Sequence, residues 1–312
     1  MVWDGVGGNR LAWAELPETV RKSIEVALGS AVVDAVSQPG GFSPGFAARL
    51  RLADGRRLFA KAICAAQSVD AVAFHRREVC VAGRLPATVA APRLLWHGGG
   101  DDWAALVFEE VDGHNPRLPW RLEDWARVHD ALVRLARDLT PSPVDLPPLA
   151  ADPDLFSGWR SLAADPALAA WLDPWTRDNV DRLAALEADW PEAAAGDTLV
   201  HGDLRADNIL LAGERVLFVD WPHAGVGAPW IDLLGMLPSV VMQGGPDPAE
   251  VWRTSPLARG ADPAAVDSLL AAVAGFLLHG SLLPDPPGLP TLRRFQRMQA
   301  EPALAWLRLR LR

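Results

Sequence analysis

The chain has 312 residues, half of them hydrophobic, a formal net charge of −9 and two cysteines. That is enough apolar material for two lobes' worth of core, and the acidity argues against a nucleic-acid partner and for a neutral or cationic one. No apolar run reaches the roughly 20 residues of a membrane span, and Met1-Val2-Trp3-Asp4-Gly5 lacks the basic start of a secretion signal, so a cytoplasmic protein without membrane contact is expected. Cys64 and Cys80 have no metal-ligand spacing and are expected to be reduced and buried.

In chain order, residues 10–29 carry a helical pattern (Leu16, Val20, Ile24, Leu28) closed by Gly29. Strand-like runs follow at 32–36 and 47–52, joined by the glycine-rich Pro39-Gly40-Gly41-Phe42-Ser43-Pro44-Gly45. Asp54-Gly55 reads as the next hairpin turn, leading to Leu58-Phe59-Ala60-Lys61-Ala62, an apolar strand with a single lysine. Glycines let backbone N–H groups approach phosphate oxygens, and a compact ammonium can pair with the α/β-phosphates. Glu78, in a helical stretch over 71–84, is placed to hold that lysine as an ion pair. Leu106 to Gly113 is an apolar strand running into a turn. From Trp120 on the pattern is helical: a helix ending before Pro141, with His129 facing the core or its boundary, then segments near 155–173, 174–189, 230–241, 248–254 and 263–280, and a last helix after Pro290.

The most informative stretch interrupts these helices. His201-Gly202-Asp203-Leu204-Arg205-Ala206-Asp207-Asn208 precedes Ile209-Leu210-Leu211, and Val216-Leu217-Phe218-Val219 ends on Asp220. Phosphoryl transfer needs one carboxylate on the attacking hydroxyl and two oxygen ligands holding magnesium against the phosphates. Asp203, Asn208 and Asp220 fit those roles. Ala212-Gly213-Glu214 is turn chemistry, so the segment reads as a β-hairpin. A three-residue loop centred on Glu214 would set Asn208 opposite Asp220, about 5 Å apart at Cβ and able to share one hard cation. A two-residue Gly213-Glu214 loop would shift the register by one. The first is favoured because it gives Asn208 a purpose.

With these residues in this order, the chain resembles the aminoglycoside phosphotransferase and choline kinase group of the protein-kinase-like fold, in particular its actinobacterial small-molecule phosphotransferases. The resemblance runs from about Val32 to Asp232. It implies an α+β, bilobal architecture: a small β-rich nucleotide-binding lobe with one key helix (1–105), a hinge (106–113) and a larger, mainly helical lobe with the catalytic loop and acceptor site (114–312). It implies ATP and Mg²⁺ as cofactors. Gly40, Gly41, Ser43, Gly45 and Lys61 would bind the phosphates, with Glu78 fixing Lys61. Backbone groups near Glu109 and Val111 would read adenine in front of a bulky Phe108, with ATP expected over GTP. Asp203 would be the catalytic base, Asn208 and Asp220 the metal ligands, and His201 a brace for the loop. Arg205 sits where protein kinases carry a γ-phosphate lysine, and Asp232 matches the aspartate that anchors the catalytic loop.

The sequence departs from protein kinases in telling ways. Its glycine loop reads G-G-x-x-x-G, its metal motif Asp220-Trp221-Pro222, Gly202 stands where an arginine reads a phosphorylated activation loop, and no A-P-E segment follows. A small hydroxylated acceptor is therefore expected, on a monomer or homodimer. The alternative is a nucleotide-binding scaffold without activity, against which the full set Lys61, Glu78, Asp203, Asn208 and Asp220 argues. Of Trp120, Trp125, Trp159, Trp171, Trp175 and Trp190, most are expected in the core and one or two along an acceptor pocket. The basic ending Leu307-Arg308-Leu309-Arg310-Leu311-Arg312 argues against a polycationic acceptor, unless Asp152, Asp154, Asp165 or Asp173 supplies negative charge elsewhere.

Overall fold

Alternation along the third strand decides which face of the N-terminal sheet meets the rest of the protein. A computed structural model describes residues 10–38, 45–286 and 288–312. It opens with helix α1 (Glu18–Leu28), then β1 (Val32–Ser37), β2 (Phe46–Leu52), β3 (Arg57–Cys64), α2 (Val69–Ala82), β4 (Leu94–Gly100) and β5 (Trp103–Glu109). The strands form one antiparallel sheet in the order β1-β2-β3-β5-β4. Because side chains alternate faces along a strand, Leu58, Ala60 and Ala62 point to one side and Phe59 and Lys61 to the other. The first set packs with Val20 and Ile24 of α1 in a core of its own, while Phe59 and Lys61 line a cleft. α1 ends on Gly29 in the left-handed conformation (φ 66°), as its sequence pattern predicts.

α2 begins where the Ser68 hydroxyl accepts the Ala71 amide, an N-cap at 3.1 Å. Ala71, His75 and Glu78 recur at i, i+4 and i+7, so a single helix face carries all three inward, and all three are buried.

The remaining chain is largely helical: α3 (Leu122–Asp138), α4 (Gly158–Ala164), α5 (Pro166–Ala169), α6 (Pro174–Asp178), α7 (Val180–Ala188) and α8 (Trp190–Ala193) precede a group of short strands. Those strands are β6 (Thr198–Val200), β7 (Ile209–Ala212), β8 (Arg215–Phe218) and β9 (Gly225–Gly227), paired as β6-β9 and β7-β8. Helices α9 (Ile231–Met242), α10 (Pro248–Thr254), α11 (Pro263–Leu282) and α12 (Leu292–Arg310) complete the chain. The helix expected near 155–173 is broken at Asp165. Pro166 disfavours helical backbone at the residue before it, and the Asp165 side chain caps the new helix through the Ala167 and Leu168 amides.

Three expectations are corrected. The hairpin takes the other register: Ile209 pairs with Phe218 and Ala212 with Arg215, leaving a two-residue loop with Gly213 at φ 55°. A two-residue hairpin loop needs positive φ, which glycine adopts without strain. Cys80 is exposed, on the outer face of α2, whereas Cys64 is buried. α11 is a 20-residue helix apolar enough, by length and composition, to cross a membrane, although no such run was expected. Its Leu269, Leu270, Ala271, Ala272 and Ala274 are fully or almost fully buried in the helical core. As expected, most of the six tryptophans belong to that core: Trp120, Trp125, Trp159 and Trp190 are buried in it; none lines the cleft below the sheet, and the exposed Trp171 lines a second cavity with Asp173 and Arg308.

Candidate active site

The loop after β6 is held by its own backbone. The Asp232 carboxylate, in the first turn of α9, accepts the His201 and Gly202 amides at 2.8 and 2.9 Å. Gly202 has φ 80°, and a Cβ there would lie 2.4 Å from the His223 carbonyl oxygen, so only glycine fits. The arginine that protein kinases carry at this point has no room.

His201 is fully buried against Trp221, ring centroids 4.6 Å apart. Its Nε2 lies 2.9 Å from the Val219 carbonyl, which can only accept, so Nε2 carries the proton and Nδ1 accepts the Asp203 amide at 3.3 Å. Burial depresses its pKa to about 4 despite the Val219 bond and the Asp220 charge, keeping the ring neutral. A neutral, doubly bonded imidazole ties the loop to the strand that leads into Asp220. Burial also raises Asp232 to about 6, against the two amides that favour its charge.

Asn208 follows on a single 3-10 turn, Ala206–Asn208. Its Nδ2 donates to the Asp203 carbonyl at 2.8 Å, which fixes the amide and leaves Oδ1 as the atom able to meet a cation. In the observed register Asn208 pairs with Val219, whose amide donates to the Asn208 carbonyl at 3.0 Å. Asp220 therefore lies one residue beyond. At φ 71° it is the one non-glycine residue with positive φ among those described. That sparsely populated conformation turns the chain at the strand end, and Asp220 and Asn208 line the same cavity.

Across the cleft, Lys61 Nζ lies 2.8 and 3.0 Å from the Glu78 carboxylate oxygens and 2.7 Å from Asp220 Oδ1. Burial opposes the lysine charge, but the two carboxylates outweigh it and raise its pKa. The charges sort unequally: burial works against Asp220 as well, yet Lys61 holds it below the ordinary carboxylate range, while burial pushes Glu78 up.

The cavity below the sheet is about 390 Å³ and takes in Lys61, Glu78, Phe108, Glu109, Val111, Asn208 and Asp220. Such a volume lies in the usual range for cofactor sites. Phe108 is buried at its back. The Glu109 amide donates to the Arg93 carbonyl at 3.0 Å. Gly45 has φ 105°, and a Cβ there would meet the Ala62 carbonyl at 2.7 Å; Gly40, Gly41 and Ser43 lie outside the described residues. Asp203 and Arg205 are not among the residues lining this cavity. The Arg205 guanidinium pairs with Asp203 and, at 3.1 Å twice, with Asp207, and it stacks on Phe295 of α12, 5.6 Å from the ring centroid. Burial raises the Asp203 pKa, with Arg205 opposing.

Several cleft residues were not anticipated from sequence: Arg10, His75, Asp207, Asn115, Gln243 and Phe295. Asp207, inside the loop motif, was within reach of inspection. The Asn115 amide, which donates to the Ala206, Asp207 and Ile209 carbonyls at 3.3, 3.1 and 2.8 Å, had no local signal. Two arginines of the basic C-terminus are paired: Arg308 bonds Asp173 at 2.6 Å and Arg310 bonds Asp267 at 2.5 Å. Asp173 and Asp165 serve as helix caps, and Asp154 pairs with Arg160.

A lysine–glutamate pair on an antiparallel sheet and helix, facing a loop with Asp203 and Asn208 and a strained Asp220 across a cleft, defines a protein of the protein-kinase-like fold. The chain belongs to the phosphotransferase enzyme family, which it matches over residues 41–269. Solved structures share its fold over almost the whole length. Choline kinase LicA from Streptococcus pneumoniae aligns with TM-score 0.60 and 11% identity over 93% of this chain and 98% of that one. Amicoumacin kinase hAmiN, in complex with AMP-PNP, Ca²⁺ and Ami, gives 0.56 and 11% over 92% and 94%. Aminoglycoside phosphotransferase APH(4)-Ia, a thermostable mutant with ADP and hygromycin B, gives 0.53 and 16% over 93% and 98%. At these identities the likeness is one of fold. No curated protein matches the chain significantly.

Proposed function

We propose that this phosphotransferase moves the γ-phosphate of ATP to a hydroxyl of a small molecule, an antibiotic-like natural product or a metabolite. One observation carries the reading. Lys61, Glu78 and Asp220, from three separate segments, meet within 3.0 Å in a cleft that also takes in Asn208, and the Asn208 amide bonds the Asp203 carbonyl. In this reading residues 1–105 are the nucleotide lobe, 106–113, which begins within β5, the hinge, and 114–312 the acceptor lobe.

Adenine would sit against Phe108. With the Glu109 N–H bonded to Arg93, adenine's amino group and ring nitrogen would in this reading be met by the Glu109 carbonyl and the Val111 N–H, an acceptor–donor pair. Lys61 would hold the α/β-phosphates, kept in place by Glu78. Magnesium suits the donors present. Among the described residues there is no cluster of three or more His, Cys, Asp or Glu, and Mg²⁺ is commonly bound by one or two protein oxygens with phosphates and water completing its shell. Asp220 and the Asn208 Oδ1 would be those oxygens, and the ion would neutralise phosphate charge.

The acceptor oxygen attacks the γ-phosphorus while the bond to the β,γ-bridging oxygen breaks, its electron pair leaving on ADP. Asp203 takes the hydroxyl proton, a task its raised pKa favours. His201 and Asp232 act by holding the loop, and Arg205 by fixing the Asp203 and Asp207 carboxylates. Arg308 and Arg310 of the basic tail are paired with Asp173 and Asp267, which weakens the argument from the tail against a polycationic acceptor. The test is incubation of purified protein with ATP and Mg²⁺ against panels of hydroxylated antibiotics and metabolites, read by mass spectrometry. A product heavier by one phosphate supports the reading; nucleotide binding with no product on any panel member points to the silent scaffold.

A further inference from the structure

Trp120 does not line the cleft, but it orients a side chain that does. Its indole N–H donates to Gln243 Oε1 at 3.3 Å and its backbone amide to the Gln243 carbonyl at 3.1 Å, at the C-terminal end of α9. An indole N–H can only donate, so the amide atom it meets is the oxygen, and the Gln243 NH₂ is directed elsewhere. Gln243 is only 3% exposed and lines the cleft. Its Nε2 has no partner among the described residues and is not sealed from solvent, so its N–H groups open on the cleft. The mount is tight: Gly244 has φ 76°, and a Cβ there would lie 2.9 Å from the Pro119 Cβ, which holds residues 118–120 against this helix end.

The donor belongs to the acceptor side of the cleft. Gln243 shares the wall with Pro116, Leu118, Asp207 and Phe295, all outside the sheet that carries Lys61. Phe295 stacks on Arg205, which holds both Asp203 and Asp207, so this wall adjoins the proposed base. Apolar carbon thus flanks one oriented N–H donor. Among the described residues, every carboxylate lining the cleft is ion-paired: Glu78 and Asp220 with Lys61, Glu109 with Arg93, Glu110 with Arg57 and Asp207 with Arg205. An ammonium brought to Gln243 would set donor against donor, whereas a carbonyl, ether or hydroxyl oxygen would be bonded.

We infer that Gln243 sets acceptor specificity: its Nε2 donates to an oxygen of an uncharged, partly apolar hydroxylated acceptor and so selects against ammonium-bearing ones. The inference deepens the phosphotransferase reading above and rests on it. Gln243 gives up no proton: the acceptor–phosphorus bond forms, the bond to the bridging oxygen breaks toward ADP, and Asp203 receives the hydroxyl proton.

The test sorts the hydroxylated panels into an uncharged set, chloramphenicol and salicin among it, and a cationic set with choline and hygromycin B. It measures kcat/KM for wild type, Gln243→Glu and Gln243→Met, with Mg·AMP-PNP affinity alongside. Wild type should favour the uncharged set. Gln243→Glu still accepts the Trp120 N–H and puts an anionic oxygen where the NH₂ was. It should lose roughly 10-fold or more on uncharged acceptors and gain on cationic ones, with AMP-PNP affinity kept. Gln243→Met should lose a similar factor on the uncharged set without gaining on the cationic one, and it decides by the same ratio if Gln243→Glu does not fold. A wild type that favours the cationic set would overturn the inference, and so would an unchanged ratio between the sets in the variants. A matching fall in AMP-PNP affinity, the mark of a merely structural residue, would overturn it too. AMP-PNP binding by a wild type that yields no product on any panel member would instead remove the phosphotransferase reading, and this inference with it.

Discussion

Lys61 Nζ and Asp220 Oδ1 lie 2.7 Å apart although 159 residues separate them in sequence. An ammonium has three hydrogens, and here they meet Glu78 Oε1, Glu78 Oε2 and Asp220 Oδ1. For Lys61 to reach a phosphate, one carboxylate must let go. Among the described residues Glu78 is buried with no other charge partner, whereas Asp220 is partly exposed and would have the proposed metal to turn to.

Asp220→Ala should therefore abolish the dependence of ATP binding on Mg²⁺ while leaving metal-free ATP binding no weaker than in wild type. Asn208→Ala should show a smaller loss, because a neutral oxygen contributes less to a hard cation. ATP titrations with and without Mg²⁺ check both. Equal metal dependence in wild type and Asp220→Ala would remove Asp220 from the metal site.

Asp203→Asn keeps the shape of the side chain and removes the proton acceptor. Turnover should fall by roughly 10²-fold or more with nucleotide affinity unchanged. The measurement is single-turnover phosphorylation of the acceptor found by screening; a fall of less than about tenfold would refute Asp203 as the base.

His75 should make the protein acid-sensitive. Its pKa is depressed to about 4 by burial first and by the Lys61 charge next, with the Ala71 carbonyl and Asp220 opposing and Arg10 adding to the depression. The unfolded chain, with an ordinary histidine near 6.5, binds the proton more readily. Stability from this group is thus fully present above pH 6.5 and is lost as pH falls toward about 4, at up to about 1.4 kcal/mol per pH unit. His201 has the same sign, and Asp232, raised to about 6, the opposite one. Urea unfolding of wild type and His75→Gln across this window isolates the His75 contribution; parallel curves would contradict it.

Gly202→Ala should destabilise the loop. The left-handed conformation costs a non-glycine residue about 1–2 kcal/mol, and the new methyl would press on the His223 carbonyl. A melting temperature lower by at least about 2 °C, with activity lost, is expected by thermal scanning. Unchanged melting and activity would mean the loop relaxes freely.

ATP should be preferred to GTP by about tenfold or more, since guanine would set its carbonyl against the Glu109 carbonyl and its N–H against the Val111 N–H. Competition of the two nucleotides in the same titration reads this directly, and parity would place purine recognition elsewhere.

Much of this was legible locally. Gly29 as a cap, the alternation around Lys61, the helix bearing Glu78 and the loop from His201 to Asn208 are short-range patterns, set by helix and strand periods and by turn chemistry, and the order of the motifs along the chain was enough to indicate the fold. The hairpin register was not, because Gly213 permits either loop and only the pairing of Asn208 with Val219 and the turn at Asp220 settle it. Which of the tryptophans are core and which line a cavity was not legible, because an aromatic residue is equally at home in either and burial is a property of the assembled helices. The pairing of Arg308 and Arg310 was not legible for the same reason: their partners, Asp173 and Asp267, are remote in sequence. Arg10 enters the cleft only because a bridge to Gly45 brings it there, and no periodicity or spacing in a chain encodes which distant backbone a residue will meet.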